Sequence, residues 1–224
     1  ELSLLCVCDG ERAVPLAPAR DYKRAGTGDV GPMTGGMGAF SPVSGVDGEA
    51  IAKSIVQPTL EALRERGIDF RGVLYAGLML TPEGPKVVEF NVRFGDPETQ
   101  VVVPRFAGDL AAFLYEAASG DLRMEPTFVD QAWVTVVLAA EGYPDGAIRR
   151  GYAIEGVAAA EALGNVVVFR ASATRDERTN GGRVLNVTAW GPTVPAARER
   201  AYQAVERISW PGMHYRTDVA EGES

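Results

Sequence analysis

The chain has 224 residues, with 22 Lys and Arg against 30 Asp and Glu, giving a formal net charge of −8. That balance argues against a nucleic-acid binder, which normally presents a basic surface, and 46% hydrophobic with 23% charged residues is a globular rather than a disordered composition. The longest apolar run, 132–140, is far short of the roughly 20 residues of a membrane helix, and no signal-peptide pattern opens the chain, so a cytoplasmic protein without membrane contact is expected.

Residues 2–7 read as a strand, Asp9-Gly10 as a turn, and 13–17 as a segment that pairs back in a hairpin. The only cysteines, Cys6 and Cys8, alternate onto one face of that strand; with no further Cys and a distant sole histidine, His214, they read as core thiols in a reducing compartment. A chain that starts inside a sheet is expected to be the cut edge of something larger.

Residues 21–46 show neither period and read as a loop, longer than the roughly 12–15 residues of a passive connection, while Met33, Met37 and Phe40 speak against disorder. A helix follows, with Ile51, Ile55, Val56, Leu60 and Leu63 on one face, Gly67 as a stop and Pro58 predicting a kink or break. Residues 72–80 and 85–91 form a second predicted hairpin around Pro82-Glu83-Gly84. The spacing then predicts a helix over 109–118, ended by Gly120, and a linker over 121–130.

Beyond the linker come strands at 133–140, 166–171 and 184–189 and a closing helix over 194–208, entered through Thr193 and Pro195. The expected fold class is α+β, divided into a first domain over 1–125 and a smaller α+β domain over 126–224.

Glycine is in excess, with 26 residues against a usual share of roughly 7%, and its clusters mark where backbone could approach a ligand. In the run from Val88 to Gln100, strand alternation places Glu89, Asn91 and Arg93 on one face: a carboxylate, an amide oxygen and a guanidinium in a row. Oxygen ligands of this kind suit Mg²⁺ held together with nucleotide phosphates, and the Arg is placed to meet an anion. The apolar Val88, Phe90, Val92 and Phe94 are expected to fill the opposite face; an exposed face with a surface ion pair is the competing reading. A second cluster, Gly31 to Ala39, can expose backbone N–H groups to an anion, with Lys23 and Arg24 adding charge, and reads equally as a plain glycine-rich turn. Its spacing is neither that of a P-loop nor that of a dinucleotide fingerprint. Asn180-Gly181-Gly182-Arg183 could serve as a hairpin turn.

Taken in order, Asp21-Tyr22-Lys23-Arg24, Gly31 to Ala39, Tyr75-Ala76-Gly77-Leu78, Glu89 to Gln100, Leu138 to Pro144 and Gly181 to Leu185 closely resemble the phosphoribosylamine–glycine ligase family of ATP-grasp enzymes. The Glu-x-Asn-x-Arg row alone would indicate only the ATP-grasp superfamily; the glycine loop and Gly-Asp-Pro-Glu-Thr-Gln narrow it. The resemblance implies the C-terminal part of an ATP-grasp fold, an antiparallel sheet with helices, followed by the small α+β domain. It implies a purine-biosynthesis ligase joining glycine to 5-phosphoribosylamine through glycyl phosphate, with ATP and Mg²⁺, or Mn²⁺ in its place. Glu89 and Asn91 would hold the metal and nucleotide, and Arg93 would stabilise the transferring phosphoryl group. Asp21, Lys23, Thr34, Gly35, Gly36, Gly38 and Asp96 would shape the substrate pocket, which Arg183 would help close. Position 22 is Tyr where the family's segment reads Asp-His-Lys-Arg, and residues 73–80 offer no third acid. Against the family pattern the N-terminal part is missing, so a partner chain could supply it. The alternatives are a non-catalytic half that docks on such a partner, or another ATP-grasp carboxylate–amine ligase.

Overall fold

The apolar pattern at the start of the chain becomes strand β1 (Leu2–Asp9) in the computed structural model, which describes residues 1–223. β2 (Ala13–Pro15) folds back on it with Val7 opposite Val14, as the turn at Asp9-Gly10 predicts. The next stretch departs from the expected loop. It carries four short strands: β3 (Arg20–Asp21), β4 (Arg24–Gly26), β5 (Val30–Met33) and β6 (Gly38–Ser41). Only β4 and β5 pair with each other as sequence neighbours; β6 lies between β3 and β9, the latter far along the chain, and no local period encodes that.

The helical pattern that follows is α1 (Gly48–Ile51), a π-helical turn over Ala52–Val56, and α2 (Gln57–Glu65). Pro58 stands in the first turn of α2, where its missing N–H is least costly, and the irregular π turn directly precedes it. β7 (Arg71–Thr81) and β8 (Gly84–Asn91) form the second hairpin. α3 (Thr99–Val102) leads through a 3-10 turn to α4 (Leu110–Ser119). Asp109 caps α4 by accepting the Ala112 N–H at 2.9 Å, and Gly120 ends it at φ 80°. The remainder is β9 (Ala132–Ala139), α5 (Val157–Glu161), β10 (Val166–Arg170), β11 (Arg183–Gly191) and α6 (Val194–Val205).

These elements group into two compact units that are discontinuous in sequence. One comprises Glu1–Arg20 and Pro42–Asp130, the other Asp21–Ser41 and Gln131–Ser224. A single division at 125/126 therefore differs from what the contacts produce, because residues 21–41 fold with the C-terminal part.

The first unit is built on an antiparallel sheet of order β2-β1-β7-β8. β1, at its centre, is buried on both faces and packs with α4 and with the π-helical turn over Ala52–Val56. Both cysteines are free and buried there, and burial pushes the Cys8 thiol up to about 12 and Cys6 higher still, so they are inert core thiols. β8 is a sheet edge with exposed residues on both faces.

The second unit is a five-stranded sheet of order β10-β11-β9-β6-β3, with α6 lying on β9 and β11. Ala197, Ala201 and Ala204, all buried, form the contact stripe of α6 and let it approach closely. Trp133 and Trp190 stack at 4.6 Å between ring centroids on the paired strands β9 and β11. Among the described residues, no helix is long and apolar enough to cross a membrane.

Candidate active site

On the first unit, β8 sets the metal-type row. Glu89 lies opposite Gly77 and Asn91 opposite Tyr75, so both project to one face of the sheet. A Cβ at Gly77 would stand 3.0 Å from the Glu89 Cγ; the glycine leaves the space in which the Glu89 stem lies. The row nevertheless ends sooner than alternation predicts. The strand stops at Asn91, and Arg93 sits in the bend beyond, its Nη1 donating to the Phe94 carbonyl at 2.8 Å. Its position is thus set by the bend, because the pleat ends with the ladder.

The apolar face of the same segment also differs from expectation. Val88 is 60% exposed, Phe90 39% and Val92 73%, so these side chains fill no core within their own unit. Val88 is the extra residue of a β-bulge, since Gly77 faces Glu89 while Leu78 faces Val87. The bulge carries Lys86, opposite Met79, onto the face of Glu89 and Asn91, where an unbroken two-residue period would have put it on the other side.

Asp96, joined to Pro97 by a cis peptide bond, accepts a hydrogen bond from Gln100 Nε2 at 3.0 Å. Next to it a polar group is buried in the core: Ser3 Oγ donates to Glu98 Oε1 at 3.1 Å and lies 3.0 Å from the Tyr75 hydroxyl. Glu98 and Tyr75 stand in motifs visible in the sequence. Ser3 carries no signal of its own, because its partners are remote along the chain.

On the second unit, the glycine turn is fully engaged. The Thr34 N–H donates to the Lys23 carbonyl, the Gly35 N–H to the Tyr143 hydroxyl at 3.1 Å, the Gly36 N–H to Thr34 Oγ1 at 3.0 Å and the Met37 N–H to the Tyr22 carbonyl. The expected cradle of exposed N–H groups is therefore not what this turn presents, since each of these four donors already has an acceptor. Arg183 Nη1 donates to the carbonyls of Gly35 at 2.8 Å and Gly36 at 3.3 Å, closing the turn from the other side. Gly38 is buried where a Cβ would collide with Val219 and the Thr135 carbonyl, so its lack of a side chain serves strand packing. Asp21 is buried and pairs with Lys23 Nζ at 3.1 Å, which joins two of the predicted site residues directly.

Tyr22 has a defined role in this unit. Its hydroxyl accepts the Ala220 N–H at 2.8 Å, and its ring lies 5.0 Å below the Arg216 guanidinium. Arg216, 1% exposed, binds Asp218 in bidentate fashion at 2.8 and 2.7 Å and also donates to Asp29 and the Arg24 carbonyl. The Arg216 hydrogen bonds hold the Asp218 carboxyl below its ordinary pKa against the opposing effect of burial. This hub, missed by motif reading, ties the C-terminal segment to the β4–β5 hairpin.

The donor set on β8 fits a hard divalent cation. Glu89 and Asn91 offer two oxygen ligands, and among the described residues no group of three or more His, Cys, Asp or Glu forms a self-contained cage. Mg²⁺ is typically held in this way, by one or two carboxylates with phosphate and water completing its shell.

Two family models match the chain: phosphoribosylglycinamide synthetase, ATP-grasp (A) domain, over residues 1–99, and phosphoribosylglycinamide synthetase, C domain, over residues 133–222. The chain belongs to the phosphoribosylglycinamide synthetase family. Phosphoribosylamine–glycine ligase of Streptomyces coelicolor is 48% identical over 231 residues, a match covering 98% of this chain and 55% of that protein. The Brucella melitensis ligase is 43% identical over 226 residues, covering 98% and 53%. A crystal structure of phosphoribosylamine–glycine ligase from Thermotoga maritima aligns with a TM-score of 0.86 at 37% identity, again over 98% of this chain and 55% of that one. The chain thus spans about half the length of the curated relatives it matches. The biotin carboxylase subunit of pyruvate carboxylase, at 16% identity and a TM-score of 0.64, shares the fold. An α+β fold of ATP-grasp type, read from the motifs, is therefore the fold of this synthetase-family chain.

Proposed function

We propose that this chain contributes the metal-binding strand and the C domain of an ATP-dependent phosphoribosylamine–glycine ligase acting in the cytoplasm in purine biosynthesis. In the proposed reaction the glycine carboxylate attacks the γ-phosphorus of ATP, releasing ADP and forming glycyl phosphate. The amine of 5-phosphoribosylamine then attacks the acyl carbon, phosphate leaves, and an amide results. Charge on the transferring oxygens must be neutralised and water kept from the acyl phosphate.

The observation that carries this reading is the pairing of Glu89 and Asn91 on one face of β8 in a chain of this family. Bound there, Mg²⁺ supplies positive charge to the nucleotide phosphates. Arg93, carried by the bend after β8, is assigned to the phosphoryl oxygens and Asp96 to substrate orientation. On the second unit we assign the Asp21–Lys23 pair and the Thr34–Gly38 segment, with Arg183 behind it, to the wall of the glycine and phosphoribosylamine pocket.

The test is glycine-dependent ADP release with Mg²⁺, ATP and freshly generated phosphoribosylamine. It is run on this chain alone and with the remaining portion of a relative added as a separate polypeptide. Glu89→Gln is expected to lower Mg²⁺-dependent turnover at least a hundredfold; wild-type activity in that variant would sink the metal assignment. Replacing phosphoribosylamine with other amines separates this reading from a different carboxylate–amine ligase.

A second reading has its own observation. Val88 and Phe90 on the edge strand β8, Val92 just beyond it, and Met79 and Leu80 near the end of the neighbouring β7 are exposed, a surface that fits a docked polypeptide. Under that reading the chain is a non-catalytic half that keeps a substrate pocket. Calorimetric binding of a stable phosphoribosyl analogue, with no ADP release in any mixture, would favour it.

A further inference from the structure

The turn from Thr34 to Met37 is held by side chains from two later segments of the same unit. Tyr143, from the segment after β9, accepts the Gly35 N–H at 3.1 Å. Its ring packs against the buried cluster of Met37, Val137 and Ala139. That ring also occupies the space beside Gly182 so closely that a Cβ at 182 would overlap it. Arg183, the next residue, fills the space where a Gly35 side chain would begin, with its Nη2 2.9 Å from that position, while its Nη1 binds the carbonyls of Gly35 and Gly36. The N–H side and the carbonyl side of one peptide segment are therefore gripped separately, by a phenol and by a guanidinium. Glycines at 35 and 182 are what allow both groups to enter.

The geometry points to Tyr143 as a positioning residue that fixes the Thr34–Met37 turn through the Gly35 N–H, with Gly182 providing the slot for its ring and Arg183 acting as the opposite jaw. Its bearing on catalysis rests on the ligase reading above, in which this turn forms a pocket wall; its bearing on the turn does not. A glycine-lined turn held in this way offers a flat wall that a sugar phosphate can approach closely, and it does so only while the peptide orientation is fixed.

The test compares Tyr143→Phe and Gly182→Ala with wild type in the full chain by amide hydrogen exchange. Loss of one hydrogen bond is expected to speed exchange at Gly35 about threefold to tenfold, leaving the β9–β11 ladder amides unchanged. Gly182→Ala, which displaces the ring without removing the hydroxyl, is expected to reproduce the effect. In the ligase assay, Tyr143→Phe is expected to raise KM for phosphoribosylamine several-fold while kcat stays within about twofold and KM for ATP is unmoved. Unchanged exchange at Gly35 in both variants overturns the inference; faster exchange with an unmoved KM upholds the hold on the turn and overturns its bearing on catalysis. If wild type shows no ligase turnover in any mixture, the functional reading fails while the exchange result still decides the role of Tyr143 in the turn.

Discussion

Asp218 ties the C-terminal segment to the turn between β4 and β5. It takes two hydrogen bonds from Arg216 and one from the Gly28 N–H, and the Arg216 bonds keep its pKa depressed even though burial acts the other way. A carboxyl depressed in the folded state contributes its stability in full above the unfolded value of about 3.9, and that contribution is lost as pH falls through the folded pKa. The second unit should therefore weaken below about pH 4. Asp218→Asn should flatten that acid limb and lower stability at neutral pH by about 1–3 kcal/mol, the usual cost of losing hydrogen bonds to a charged group. All three tryptophans, Trp133, Trp190 and Trp210, lie in this unit, so denaturation followed by tryptophan fluorescence at pH 7 and pH 3 reads it selectively. An identical pH profile in wild type and variant would refute the assignment. At this scale the sequence was only partly legible. Glu89 and Asn91 were found by alternation, because neighbours on a strand two apart share a face. The job of Tyr22 was not, because its partners, Arg216 and Ala220, reach it only after the chain has folded back.

Helix α4 and strand β8 mark the two extremes of what an element reveals in advance. α4 carries its own punctuation: Asp109 at the start, Gly120 at the end and an apolar stripe between, so its limits could be read to within a residue or two. Asp109→Ala should cost the first unit about 1 kcal/mol, the typical value of an N-cap, seen as a lower urea midpoint with unchanged slope. No change in midpoint would mean that the Ala112 N–H finds water as good a partner. β8 was legible as a strand but not in its detail. The bulge at Val88 moves Lys86 onto the face of Glu89, and the end of the ladder frees Arg93 into a bend. Both depend on the match between two strands, which neither strand's own pattern contains.

Across the whole chain, the decisive feature is that residues 21–41 belong with the C-terminal unit. β6 lies between β9 and β3 in the five-stranded sheet, with Phe40 opposite Val134 and Ser41 opposite Trp133. A fragment of residues 126–224 would lose that strand and leave β9 as an unpaired edge. It should therefore show no cooperative tryptophan transition alone, and should regain one when a peptide of residues 21–41 is added; cooperative folding of the fragment by itself would contradict this. The sequence by itself determined the α+β class, the hairpins, the capped helices and the Glu89–Asn91 pair, which rest on signals within a few residues of one another, and the synthetase family, which rests on short motifs read in order along the chain. Tertiary structure decided the discontinuous units, the occupied amides of the glycine turn, the Tyr143–Arg183 grip and the Arg216 hub. Each of these is a contact between segments far apart in the chain, and such contacts exist only once folding has brought those segments together.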